Sequence, residues 1–242
     1  MLIYPAIDLR GGRVVRLTQG DYDRMTVYGD DPVAVARGFV QAGAACLHAV
    51  DLDGAKDGSP RNRSVIGQLC TLPLSVEVGG GMRTEADVEA TLALGAERAI
   101  LGTAAVEDFS LVERLVKRWG ARIAVGVDAR GGKVATRGWR EVSDLEGVAF
   151  CRKLADAGVS TVIYTDIGRD GALSGTNLEV YARLSGIAGL QVIASGGVSF
   201  ESEIAALRDM GLYGCILGKA LYAGKLRLER ALAIAGGEAQ PC

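Results

Sequence analysis

The sequence predicts an α/β chain folded as a (β/α)₈ TIM barrel, and three observations predict it. Short apolar runs alternate eight times with longer segments of helical spacing. The length of 242 residues is close to the ~250 of such a barrel. The chain also echoes itself at nearly one offset, as two fused half-barrels (about 1–120 and 121–242) would. An open, doubly wound sheet is the other arrangement of the same units.

In chain order the strand runs are Ile3–Leu9, Cys46–Leu52, Leu74–Val78, Ala99–Leu101, Ile123–Val127, Thr161–Thr165, Gln191–Ala194 and Tyr213–Leu217. Most read as continuous apolar stretches rather than alternating ones, which is the pattern of parallel strands buried on both faces. The segments Pro32–Ala42, Glu85–Leu94 and Phe200–Met210 space their apolar residues by three and four, as crossover helices do. Gly43, Gly95, Gly158 and Gly211 stand just past helical segments, where glycine supplies the left-handed stop. The pattern runs through residues 1–242 as one domain.

Composition narrows the function. Hydrophobic residues make up 49% and charged residues 23%, as in an ordinary folded globule. A net charge of −2 and a pI near 5.6 argue against a nucleic-acid surface, so any phosphate site must be local. Apolar runs fall far short of the ~20 residues that span a bilayer. The opening MLIYPAIDLR enters a strand at once, without the basic region and apolar core of a signal. Five scattered cysteines, Cys46, Cys70, Cys151, Cys215 and Cys242, make no CxxC and read as reduced thiols of a cytoplasmic protein. Nothing indicates an obligate protein partner. The one histidine, His48, sits mid-strand and reads as structural, and with no clustered cysteines no metal or other cofactor is expected. There is no nucleophile elbow and no P-loop. Lys56, Lys133 and Lys219 lack the buried setting that a Schiff-base lysine needs.

The internal echo locates a site. VEVGGGMR (Val76–Arg83) matches VIASGGVS (Val192–Ser199), and AILGTAAV (Ala99–Val106) matches CILGKALY (Cys215–Tyr222), setting Gly80 over Gly196 and Gly102 over Gly218. IDLRGGRVVR matches VDARGGKVATR, setting Asp8 over Asp128, and VDLDGAKDG echoes TDIGRDGALSG. Asp8 ends the first strand and Asp128 the fifth, so the two carboxylates face each other across the C-terminal mouth, where barrels of this kind hold their active sites. The turns Gly79–Gly81 and Gly102–Thr103 lie opposite Gly196–Gly197 and Gly218–Lys219, and Gly175 is expected to bind phosphate with the second pair. Glycine admits close backbone approach, and helix N-termini aim free N–H groups at an anion. Two such cradles imply a small-molecule substrate with two phosphate groups, crossed near its middle by the acid–base axis. Arg16, Gln19, Gly20 and Arg83 are loop candidates for substrate contact.

The stretches PAIDLRGGRVVRLTQGDYDRMTVYGDDP, HAVDLDGA, VGGGMR, ILGTAAV, VDARGGKVATRGW, YTDIGRDGALSGTN, VIASGGV and LGKALY resemble the ProFAR isomerase family of histidine biosynthesis, over about Met1 to Leu232. The chain is similar, more distantly, to the cyclase that follows in that pathway, which opens on a Cys-Leu-Asp-type strand where this chain has Ala6-Ile7-Asp8. The resemblance implies an Amadori rearrangement of a bis-phosphorylated aminoaldose to an aminoketose. It implies Asp8 as general base and Asp128 as general acid, with Thr165 and Asp170 assisting. Residue types alone leave open which aspartate is which. Ring opening yields an iminium that is itself the electron sink, so proton removal at C2 calls for no cofactor. Arg137, Trp139 and Arg140 are loop residues able to admit a second substrate, phosphoribosylanthranilate. A non-catalytic phosphometabolite-binding barrel would not need Asp8, Asp128, Thr165 and Asp170 together. Two residues depart from the family pattern: Gly168, and Glu77 where glutamine is commoner. Glu77 would place a negative charge near the first cradle unless it points outward or pairs with Arg83.

Overall fold

The computed structural model describes residues 1–18 and 20–237; Gln19 and Cys242, both named above, lie outside them. Twelve strands form among the described residues. They are β1 (Leu2–Arg10), β2 (Arg13–Thr18), β3 (Asp21–Gly29), β4 (Cys46–Asp51), β5 (Ser75–Gly79), β6 (Arg98–Leu101), β7 (Ile123–Arg130), β8 (Lys133–Thr136), β9 (Glu141–Glu146), β10 (Thr161–Asp166), β11 (Gln191–Ser195) and β12 (Gly214–Leu217). Eight of them, β1-β4-β5-β6-β7-β10-β11-β12, pair in parallel, and β12 returns to β1, closing a ring. The closed ring excludes the open sheet. No helix among the described residues is long and apolar enough to cross a membrane.

Strand ends shift slightly from the sequence expectation. Leu52 begins a helix, Leu74 and Tyr213 precede their strands, and Arg98 joins β6. The helices run Pro32–Gln41, Glu85–Ala93 and Glu201–Asp209. The first opens on Asp31, whose carboxylate accepts the free N–H groups of Val33 and Ala34, with Pro32 at the first helical position. Gly43, Gly95, Gly158 and Gly211 all take positive φ, 76–99°, as helix stops do.

Two antiparallel ribbons were not expected. β2–β3 follows β1 and β8–β9 follows β7, each folding back over the mouth. Their exposed faces carry charged residues, so no apolar run marks them.

Side chains facing outward from the ring, such as Leu47, Val78, Leu101 and Val125, pack under the helices. Those facing inward, Tyr4, Ala6, Ile100, Ala124, Ile163, Ile193 and Ile216, fill the barrel as a plug. Each fully buried aliphatic side chain contributes about 1.5–3 kcal/mol, so the plug fixes the floor on which the site stands.

The glycine turns are built by matching contacts in the two halves. A Cβ on Gly80 (φ 102°) would lie 2.1 Å from the Asp51 carbonyl oxygen, and one on Gly196 (φ 91°) 2.6 Å from that of Asp166. Each aspartate then ties down its own loop. Buried Asp51 accepts the N–H groups of Gly54, Arg61 and Asn62 and the Asn62 amide, while Asp166 accepts Gly168 N–H and the Asn177 amide. Gly80→Ala combines a left-handed backbone with a carbonyl collision. It is expected to destabilise by about 3 kcal/mol or more, read as a lower urea midpoint at unchanged slope.

Candidate active site

The barrel mouth opens into a cavity of about 250 Å³. Of the residues singled out from sequence, it is lined by Asp8, Arg16, Gly20, Gly80, Gly81, Arg83, Gly102, Thr103, Asp128, Trp139, Thr165, Asp170, Gly196, Gly197, Gly218 and Lys219. Gly175 is buried behind the wall instead. Its carbonyl sits 2.8 Å from where a Gly197 Cβ would be, and its own Cβ would meet Glu203 Oε1 at 2.6 Å. Glu203 in turn accepts Thr176, Ser199 and Phe200 N–H, so Gly175 supports the second turn from below.

Asp8 and Asp128 stand on β1 and β7, four places apart in the ring of eight and therefore opposite. Their partners differ. Asp8 Oδ2 accepts from Arg16 Nη1 at 2.7 Å, so a cation lies on this carboxylate. Asp128 Oδ2 accepts from the Trp139 indole N–H at 2.7 Å, a neutral donor. Burial pushes Asp128 above the usual carboxylate range, while Trp139, the Thr165 hydroxyl and His48 pull it back. Thr165 is in register with Asp128 across β7–β10, and Ser195 with Thr165 across β10–β11.

Asp170 is the most perturbed acid of the mouth. Burial above all, with Asp8 and Asp128 adding to it and Arg16 and Lys219 opposing, raises it to about 6. Its carboxylate makes no hydrogen bond among the described residues. Lys219 Nζ donates to the Gly171 carbonyl beside it at 2.9 Å.

Glu77 neither points outward nor pairs with Arg83. Strand register puts His48, Glu77 and Arg98 side by side on β4, β5 and β6. Glu77 is buried, with Oε1 2.7 Å from His48 Nδ1 and Oε2 3.2 Å from Arg98 Nη2. Arg98 also donates to the Tyr4 hydroxyl. The charge is thus met below the first cradle, and Arg83 is left exposed at the rim. His48 is satisfied by Glu77 and also lines the cavity.

The ribbons supply the roof. Trp139 lies in the turn between β8 and β9 with φ 68°, and a Gly20 Cβ would fall 2.3 Å from its ring, so glycine there lets the two ribbons meet. Thr103 Oγ1 accepts the Arg137 N–H at 2.8 Å, fastening that turn to the first cradle. Tyr22, whose hydroxyl donates to the Leu52 carbonyl, and Ser195 also line the cavity. Sequence reasoning passed over both. Ser195 could have been found from its place directly before the Gly196–Gly197 turn, whereas no local signal marks Tyr22.

Fold and site together define a (β/α)₈-barrel protein with facing carboxylates between two glycine-turn pairs. A family model described as a histidine biosynthesis protein matches residues 2–227, and the chain belongs to that family. A relative from Brachyspira hyodysenteriae is 47% identical over 236 residues, covering 97% of this chain and 99% of its own. One from Chloroflexus aurantiacus is 48% identical, covering 97% and 98%. One from Synechococcus elongatus is 51% identical over 240 residues, covering 98% and 94%. All three are named 1-(5-phosphoribosyl)-5-((5-phosphoribosylamino)methylideneamino) imidazole-4-carboxamide isomerase.

Proposed function

We propose that the chain isomerises the ribotide in its relatives' names, converting the aminoaldose to the aminoketose by an Amadori rearrangement. The observation that carries this reading is the set Asp8, Asp128 and Asp170 around one cavity, each in a different electrostatic setting. Two carboxylates with separated protonation preferences are what a proton shuttle needs at neutral pH. Two phosphoribosyl groups in the relatives' names suit two cradles at opposite sides of the mouth.

In this reading the phosphates dock on the Gly81–Thr103 and Gly197–Lys219 sides, and Arg83 reaches the first from the rim. An acid protonates the furanose ring oxygen, and the ring opens to an iminium. Asp8 removes the C2 proton, the electrons move into the iminium, and the enolamine relaxes to the ketone. The iminium accepts the electrons, so the reading requires no cofactor. The resemblance assigns the acid to Asp128. A second reading is favoured by the electrostatics: Asp170 holds its proton to about pH 6 and has no hydrogen-bond partner among the described residues, whereas an Asp128 oxygen is engaged by Trp139. Asp128 then orients the opened sugar through Trp139 and Thr165.

Turnover of the ribotide, with phosphoribosylanthranilate assayed beside it, tests the proposal; absence of ribotide turnover would sink it. Gly102→Val tests the first cradle. Nothing lies within 4 Å of a Gly102 Cβ, so the first added atom meets open cavity. KM should rise about tenfold or more, with thermal melting run beside it to establish that the variant folds. Gly218→Val is a poorer test, because its Cβ would fall 2.7 Å from Arg16 Nη2 and disturb Asp8 as well.

A further inference from the structure

We propose that Arg16 is a phosphate-operated latch on the catalytic base: it occupies Asp8 Oδ2 until a substrate phosphate, seated beside Gly218, draws it away. The inference rests on the functional reading above and adds a step to it.

Arg16 is placed for both positions. It rises from β2, and its Nη1 donates to Asp8 Oδ2 at 2.7 Å. An oxygen so engaged is not free to take a C2 proton. On its other side the guanidinium lies against the glycine of the second cradle, where a Gly218 Cβ would be 2.7 Å from Nη2 and 2.9 Å from Cζ. An anion that docked at that turn would meet the same guanidinium that holds Asp8.

The contacts Arg16 would give up are replaceable. Its Nη2 donates to the Ala6 carbonyl at 2.9 Å, but the Tyr222 hydroxyl donates to the same oxygen at 2.8 Å, so the carbonyl keeps a partner. The guanidinium rests over the Tyr222 ring, 5.4 Å from its centre, a face along which a planar cation slides without losing its contact. Its Nε is buried and has no hydrogen-bond partner among the described residues, so one donor is unspent there. A phosphate carries −1.5 to −2 charges against one on a carboxylate, roughly, and accepts bidentate guanidinium bonds, so the exchange favours the phosphate.

The device belongs to one half of the barrel. Thr136 stands at the position matching Arg16 in the repeated VDARGGKVAT stretch, and no atom comes within 4 Å of a Gly102 Cβ. Asp128 is accordingly held by an indole rather than a cation. Departure of Arg16 would also remove an opposing charge from Asp170, helping that group keep its proton while Asp8 is bared.

The test uses the intact substrate and two analogues, each lacking one of its phosphates, with phosphite dianion as the detached piece. Wild type, Arg16→Met and Arg16→Lys are assayed, with thermal melting to establish folding. For the analogue whose missing phosphate seats at Gly218, phosphite should raise wild-type turnover about tenfold or more. Arg16→Met should turn over that analogue at least as fast as wild type without phosphite, and phosphite should add less than about twofold. Arg16→Lys keeps a cation on Asp8 without the bidentate grip, so it should stay slow and respond weakly. If Arg16→Met slows that analogue as much as it slows the intact substrate, Arg16 merely holds Asp8 and the latch is overturned. Failure of phosphite to activate wild type on either analogue overturns it too. Both outcomes leave turnover of the intact substrate in place, whereas loss of that turnover in wild type sinks the functional reading and the latch together.

Discussion

Replacing Asp8 by asparagine should slow C2 deprotonation by at least about 10²-fold while leaving substrate bound, because a positioned proton-transfer group is worth that much or more. Asparagine keeps the shape of the side chain at the end of β1, and its amide oxygen can still accept from Arg16. What it loses is basicity. The phosphate turns follow β5, β6, β11 and β12, and the one link between them and Asp8 among the described residues is Arg16, so affinity for a product analogue should hold or rise as asparagine loosens that link. Single-turnover rates measure the chemical step and equilibrium titration measures binding, with a chelator control expected to change neither. A variant that turns over near the wild-type rate would remove Asp8 as the base and direct attention to Asp170, whose carboxylate shares the same cavity.

How legible these features were depends on where each side chain's partners come from. The barrel strands read clearly because each is buried on both faces, which leaves an unbroken apolar run such as Ile123–Val127. The ribbons did not, because β3 and β9 are mostly exposed, and their residues are chosen for reach and turn geometry rather than burial. Asp8 and Asp128 could be paired because the echo in sequence carries both to the same place in the ring. The partners that distinguish them could not. Arg16 is eight residues from Asp8 and Trp139 is eleven from Asp128, each returned to its carboxylate by a ribbon that no periodicity announced.

Glu77 makes the same point from inside the barrel. Its sequence neighbours are Val76 and Val78, and from these its charge looks unanswered. Its real neighbours, His48 and Arg98, are set by the register of β4, β5 and β6, a relation between strands far apart in the chain. Buried ion clusters are generally invisible to local patterns, since the desolvation they incur is offset by groups that only the closed sheet brings together. The glycines were legible as turns, yet Gly175 belongs to the support of a turn rather than to the cavity wall, because a glycine's tolerance for close approach serves protein neighbours as readily as ligands.

Asp170→Asn should separate the two assignments of the acid and should also make the protein more stable at neutral pH. Burial, helped by Asp8 and Asp128 against Arg16 and Lys219, raises Asp170 to about 6, so the folded protein holds this proton more tightly than the unfolded chain does. Stability is therefore lost as pH rises from the ordinary carboxylate value through about 6, and the loss is complete above it. Asparagine carries no charge to desolvate. At pH 7.5 the variant should be more stable by about 1–3 kcal/mol in urea unfolding, and at pH 4 the difference should shrink toward zero. Activity should move the other way, falling by about 10²-fold or more if Asp170 delivers the proton to the ring oxygen. The pH profile of kcat/KM decides the assignment. A general acid must be protonated to act, so wild type should decline as pH rises through the Asp170 range. Asp170→Asn should lose that limb and Asp128→Asn should keep it. The substrate's phosphates titrate near pH 6 as well, but their contribution is common to all three proteins on one substrate, so the difference between profiles belongs to the enzyme. If the limb survives in Asp170→Asn and vanishes in Asp128→Asn, the acid is Asp128. Asp170 is then a carboxyl kept partly neutral by its surroundings, which spares the mouth a third negative charge.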